Sequence, residues 1–216
     1  MHRLALIALV TAAGSATAAA AQTSVEAQFF LGSALSAPSP VSISQDGQPD
    51  IDFTARWATK PGRATRYYAW RVGVWRGNRG WRFDHTHHKI YLKNNPPEVQ
   101  EFRITNGFNI FTVSRAFRHN HLTYSLGAGP VVAFPINTVR GKKLDHDRGW
   151  DGYLLSGGTV IAMATREFPI VGGLVASLDA RGSASYVRVP VVDGHASVPN
   201  AALHFHAGVG YRFGKR

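Results

Sequence analysis

The chain has 216 residues, and 24 Lys and Arg against 13 Asp and Glu give it a formal charge of +11 at pH 7. It has no cysteine, which excludes a disulfide frame and thiolate chemistry. The positive balance favours an anionic partner, and an export signal turns that expectation away from nucleic acid and toward phosphorylated lipid at the cell surface.

Residues 1–21 read as that signal. His2 and Arg3 form a basic start, Leu4 to Ala13 an apolar core, and Ala16 to Ala21 a small-residue cleavage tract. The stretch is too short to span a bilayer, and no later apolar run reaches the ~18 residues of a membrane helix. Residues 22–216 are expected to form one domain.

That domain reads as short segments of alternating apolar and polar residues. The first runs from Val25 to Leu35, with Val25, Ala27, Phe29 and Leu31 on one face and Glu26, Gln28 and Phe30 on the other. Ala37 to Gln48, rich in Pro, Ser and Gly, reads as an external loop. The second strand is Tyr67 to Trp75, with Trp70, Val72 and Val74 outward and Arg71 inward; Gly77-Asn78-Arg79-Gly80 is a tight turn. The third, Trp81 to Leu92, places Trp81 and Phe83 outward and Arg82, Asp84, Thr86 and His88 inward. His85 and His87 then point to the outside.

The fourth strand, Phe102 to Phe117, sets Ile104, Phe108 and Ile110 against Arg103, Thr105, Gly107 and Asn109, with Arg103 counted among the inward charges. After Arg118-His119-Asn120-His121 comes a fifth, Leu122 to Phe134. The sixth, Gly152 to Thr165, places Tyr153, Leu155, Ile161 and Met163 outward, and Arg166-Glu167-Phe168-Pro169 is its turn. The seventh runs from Ile170 to Arg181 with Asp179 and Arg181 inward. The last has Leu203, Phe205, Ala207, Val209, Tyr211 and Phe213 outward, and His204, His206 and Arg212 inward. Turns after even strands are short, whereas those after odd strands are longer, with about 20 residues allowed after the seventh.

Two eight-stranded architectures fit this rhythm: a soluble lipocalin-like barrel and a transmembrane barrel of the outer membrane. The aromatic last strand and the turn asymmetry favour the second. The expectation is an all-β, eight-stranded antiparallel transmembrane β-barrel, a monomer with a charged lumen filled by side chains.

Within that lumen, Asp84, Thr86 and His88 share one face of the third strand, so two carboxylates with Asp179 are available for acid/base work. His204 and His206 are two residues apart on one face, an arrangement that holds a divalent metal when a third ligand converges. Hydrogen-bonded imidazoles in a polar core explain the same pair without metal. Arg71, Lys89, Arg103, Asn109 and Arg181 are candidates for binding phosphate or sugar oxygens. The chain has no G-x-S-x-G elbow, phosphate loop or dinucleotide glycine motif.

Several segments carry a family resemblance. They are Tyr67-Tyr68 with Arg71 and Trp75, Asp84 with Thr86-His87 and Lys89-Ile90-Tyr91, Thr105-Asn106-Gly107-Phe108-Asn109 with Thr112-Val113, Leu126-Gly127-Ala128-Gly129-Pro130 with Pro135, and Gly208 to Phe213. From about Trp57 to Phe213 the chain resembles the outer-membrane β-barrel family that includes the lipid A oxidase of rhizobia. It departs where His85 replaces an apolar aromatic residue and Asp179-Ala180-Arg181 replaces Glu-Tyr-Lys. The resemblance implies oxidation of the reducing-end glucosamine of lipid A by molecular oxygen, with a divalent metal ion and basic loops meeting lipid A phosphates. The alternative is a non-enzymatic structural or surface-interaction barrel of the outer membrane.

Overall fold

In the computed structural model, residues 23–64, 66–145 and 150–214 are described; the signal segment expected at residues 1–21 lies outside them. The strands are β1 Thr23–Ser36, β2 Ser39–Gln45, β3 Ile51–Ala55, β4 Trp57–Ala58, β5 Tyr68–Arg76 and β6 Arg79–Leu92. They continue with β7 Val99–His119, β8 Leu122–Val139, β9 Lys142–Lys143, β10 Leu154–Val171, β11 Leu174–Val191 and β12 Gly194–Phe213.

Eight of them close a ring in the order β1-β5-β6-β7-β8-β10-β11-β12, because β12 pairs back onto β1 from Val25↔Phe213 to Ser36↔Ala202. Closure removes the sheet edges that a membrane would leave without hydrogen bonds. Gly77–Asn78, Asn120–His121 and Gly172–Gly173 each join two strands at one end, which marks that end as periplasmic. Positive φ at Gly77, Asn120 and Gly172 suits such two-residue turns.

The outer surface of the ring is apolar. Phe29, Leu31, Val74, Phe83, Val113, Leu126, Val160, Leu178, Phe205 and Val209 all face outward and are exposed, while Glu26, Arg71, Arg82, Asp84, Asp179 and Arg181 are buried inside. A soluble carrier barrel would have the reverse arrangement. This is an outer-membrane β-barrel with its apolar wall against lipid.

Beyond the belt the polarity of the wall inverts. On β11, Leu178 is outward below, whereas Val187, Val189 and Val191 point inward above and Arg188 is outward. These valines join Val41, Ile43, Trp57, Phe102, Ile104, Phe108, Val131 and Val198 in one buried apolar cluster. Water has replaced lipid as the surrounding solvent there, so apolar side chains turn to the interior. This corrects the outward assignment of Ile104, Phe108 and Ile110, which are all buried. Arg103 and Asn109, alternating with them, leave the lumen.

Other expectations also change. Ala37 to Gln48 is not a bare loop: β2 pairs with β12 through Gly194↔Gln45 to Ser197↔Ser42, and β3 pairs with β2. The adjoining β4 pairs with the end of β6, so at the outer end β2–β4 occupy the part of the wall that β1 and β5 form below. The seventh connection is the two-residue turn Val192–Asp193 rather than a long loop, because β11 and β12 remain paired to Val191↔Gly194. Arg166 to Pro169 is strand, and the turn comes at Gly172–Gly173. Ile161 and Met163 are buried because a register shift between Leu155 and Gly157 exchanges the two faces of β10.

Candidate functional site

The lumen is filled in layers. At the periplasmic end, Glu26 meets Arg82 at 3.0 Å and Arg118 at 2.7 Å. Arg118 and Arg212 both reach Glu167, a residue first read as part of a turn. The next layer is a ring of two carboxylates and two guanidinia. Arg71 Nε donates to Asp84 Oδ1 at 2.6 Å, and its Nη2 donates to Asp179 Oδ2 at 3.1 Å. Arg181 closes the ring through Asp179 Oδ1 and lies 3.6 Å from Asp84 Oδ1. Thr86 accepts from Arg181 at 2.7 Å, and Thr165 donates to Asp179 at 2.7 Å. Gln28 links the two layers by accepting from Arg71 and donating to Glu167.

Above the ring lie Tyr67, His88, His204 and His206. His88 Nε2 is 3.2 Å from Asn200 Oδ1 and 3.3 Å from Ser36 Oγ. His204 bonds the Tyr67 hydroxyl through Nδ1 and the Ser183 hydroxyl through Nε2, the latter at 2.7 Å. His206 Nδ1 lies 3.4 Å from Asp179. The apolar cluster seals the layers from above.

Asp84, Thr86, Asp179, Arg71 and Arg181 are therefore brought together, with His88, His204 and His206 directly over them. Their charges balance one another, which suits a structural ion network, although Asp84 Oδ2 and Arg181 Nη2 are buried without a hydrogen bond. Both ring nitrogens of His204 are engaged. Among the described residues no group of three or more His, Asp and Glu side chains is arranged to hold a metal ion. The His204–His206 pair does not fit a resident metal in this arrangement.

The other candidates are placed elsewhere. Lys89 donates to the backbone oxygens of Lys60 at 3.0 Å and Arg63 at 2.9 Å, which fastens the segment before β5. Arg103 pairs with Glu101 at 2.7 Å in a half-exposed position. Asn109 lies on the outer wall, registered against His87.

It is there that a second polar cluster appears. Asn109 Oδ1 is 3.1 Å from His85 Nε2 and 2.9 Å from His87 Nδ1. One amide oxygen can accept from both rings, which leaves a lone pair on the far nitrogen of each. The far nitrogens, His85 Nδ1 and His87 Nε2, are buried without a hydrogen-bond partner. The rings point outward, yet they are only 5 % and 2 % exposed, because Tyr68, Trp70 and Phe111 cover them. Gly107 leaves room for Asn109, since a Cβ there would lie 1.9 Å from its Nδ2. Tyr68, His85, His87, Asn109, Phe111 and Tyr153 line a cavity of about 410 Å³ open on the outer wall.

Along the tilted β6, His85 and His87 stand roughly 10–15 Å above Trp81, near and above the middle of a ~25 Å apolar band. Sequence parity placed both histidines outward. The wall partners Tyr68, Phe111 and Tyr153 were missed as site residues, and only their aromatic character on outward positions could have signalled them.

No protein-family model and no curated protein matches the chain. Among solved structures the backbone is similar to that of Ail, the attachment invasion locus protein of Yersinia pestis, determined with the heparin analogue sucrose octasulfate. That likeness has 12 % identity and a TM-score of 0.41, covering 89 % of this chain and 98 % of Ail. Neisserial surface protein A is similar at 11 % identity and a TM-score of 0.41, covering 88 % and 97 %. The outer membrane protein OprG of Pseudomonas aeruginosa is similar at 10 % identity and a TM-score of 0.47, covering 91 % and 98 %. The barrel assignment rests on the ring's own pairings and belt.

Proposed function

We propose that the protein engages lipid A of the outer leaflet from its lipid-facing wall, at His85, His87 and Asn109, and that the lumen charges are its scaffold. One observation carries this reading: two imidazoles on the wall, held by a single amide oxygen, whose remaining nitrogens have no partner. Ionisable groups at membrane depth are costly to keep, so their presence on a lipid-facing surface points to function. Lipid A offers hydroxyl, ester and amide groups beside its acyl chains, and these suit imidazole, amide and phenol partners.

The finer reading is oxidation of the reducing-end glucosamine. In that reaction an imidazole of this site would take the anomeric hydroxyl proton while the C1 hydrogen leaves with its electron pair to molecular oxygen, giving a lactone and hydrogen peroxide. Water then opens the lactone to the aminogluconate, a net gain of one oxygen atom. The family resemblance supports this step, and the wall site supplies a base for it. A second reading, a non-enzymatic structural or surface-interaction barrel, draws support from the mutual pairing of the lumen charges.

Mass spectrometry of lipid A from cells with and without the protein separates the two. Modification predicts a species heavier by one oxygen atom that disappears with His85→Phe at equal levels of folded protein. An unchanged lipid A spectrum in cells containing folded protein would leave the non-enzymatic barrel.

A further inference from the structure

The periplasmic rim carries a different kind of cluster. Arg76 and Arg79 are directly opposite each other across the β5–β6 turn, and Arg115 on β7 is registered with Trp81 beside them. Like charges directly opposite on neighbouring strands oppose pairing. Neither Arg76 nor Arg79 makes a side-chain hydrogen bond or ion pair among the described residues. Arg115 donates only to the Gly80 carbonyl, at 3.3 Å, and its guanidinium lies 5.2 Å from the Trp81 ring.

No carboxylate answers these three charges. Glu26 and Glu167, the acidic residues of this end among the described residues, point into the lumen and are buried there. The outer loops differ. Asp46, Asp50, Asp52, Glu98 and Asp193 are interspersed there with Arg56, Lys60, Lys93 and Lys142, and Lys142 pairs with Asp193 at 2.6 Å. Among the described residues the expected basic outer loops are thus charge-mixed, whereas the periplasmic rim has a basic cluster with no carboxylate interspersed.

Arg76, Arg79, Arg115, Trp81, Val74 and Thr23 line a groove of about 310 Å³ on the outside of the wall at this level. Its upper side is the apolar belt and its rim is aromatic, so it sits where the inner leaflet's headgroups meet the barrel. We infer that this groove binds the phosphate headgroup of an anionic phospholipid in the periplasmic leaflet. The phosphate supplies the countercharge the opposed arginines lack, and Trp81 stands at the headgroup boundary as interfacial tryptophans do. This site is separate from the wall histidines and independent of lipid A.

The test uses the folded barrel in phosphatidylcholine vesicles with and without phosphatidylglycerol, and native mass spectrometry of its phosphatidylglycerol adducts. The wild type is expected to unfold at a higher temperature when phosphatidylglycerol is present. Each basic residue near an anionic surface is worth about a fivefold change in affinity, so Arg79→Gln should weaken phosphatidylglycerol binding about fivefold. The triple change of Arg76, Arg79 and Arg115 to Gln should weaken it on the order of a hundredfold. Arg188→Gln, at the opposite end, should leave binding unchanged. In phosphatidylcholine alone Arg79→Gln should be at least as stable as the wild type, because it relieves the opposition. That outcome keeps the test valid even if the triple variant fails to fold. Equal binding of phosphatidylcholine and phosphatidylglycerol would overturn the proposal. So would the same stabilisation from inorganic phosphate without anionic lipid.

Discussion

The lumen and the outer wall of this barrel each hold histidines, and they differ in the partners that surround them. Inside, Arg71, Asp84, Asp179 and Arg181 spend their charge on one another, with Thr86 and Thr165 taking up further bonding capacity. On the wall, His85 and His87 share one amide oxygen and keep an unpartnered nitrogen each. The lumen also buries atoms without a hydrogen bond, Asp84 Oδ2, Arg181 Nη2 and both nitrogens of His206 among them. The contrast is therefore one of charge: four ionic groups balance inside, whereas the wall pair is tied to one neutral amide. That difference supports a scaffold role for the first and the contact proposed above for the second.

The largest expected effect breaks the scaffold. Asp179→Ala leaves two buried guanidinia to share the single carboxylate of Asp84, and loss of one partner from a buried ion network costs about 3–5 kcal/mol. Urea unfolding in lipid vesicles should show that loss, and a cost under about 1 kcal/mol would mean that water screens the lumen. The next effect exchanges the two sides. Ala207 is outward and registered between Leu31 and Leu178 near mid-belt. Ala207→Arg there should cost about 2–4 kcal/mol in the same unfolding measurement. Arginine would then be tolerated inside, where it is paired, and rejected outside, where it faces lipid.

Much of this contrast was legible in the sequence, but only within the membrane. Period-two alternation gave the eight wall strands, and parity placed Glu26, Arg71, Asp84, Asp179, Arg181, His204 and His206 inward. Above the belt the same alternation persists with its meaning reversed, so Ile104 and Phe108 were assigned to the lipid face. Bulges exchanged faces at β10, and a period-two reading has no way to mark the extra residue. The wall cluster was half visible: His85 and His87 pointed outward by parity. Their partner Asn109 was missed because its face of β7 was read as inward with Arg103, whereas both share the outward parity of Val113. Lys89 illustrates a different limit, since its carbonyl partners lie in a segment whose path no local pattern specifies.

A smaller effect tests the wall's own wiring. Asn109→Leu removes the shared acceptor, so the facing nitrogens of both rings lose their bond while remaining covered by Tyr68 and Phe111. Leaving buried polar groups unsatisfied costs about 1–3 kcal/mol each in dry surroundings, and relaxation of the rings toward the cavity would reduce the sum. Unfolding of the Asn109→Leu and wild-type barrels in the same vesicles gives the difference. A neutral result would show that the imidazoles do not depend on Asn109 for their orientation.

The smallest effect on stability is the most informative about the wall. His85→Phe places an aromatic ring among Tyr68, Trp70 and Phe111 and takes one polar group out of the lipid-facing surface. Asn109 retains His87 as a donor, so no buried group is newly orphaned. The unfolding free energy should stay within about 0.5 kcal/mol of the wild type or rise. A scaffold residue cannot behave this way, because removing it must leave a partner unsatisfied, as Asp179→Ala does. A loss of about 2 kcal/mol or more, the scale of an unsatisfied buried polar group, would place His85 with the lumen charges as a folding element. Near-neutral stability with unaltered packing would instead mark His85 as a residue retained on the wall for what it contacts.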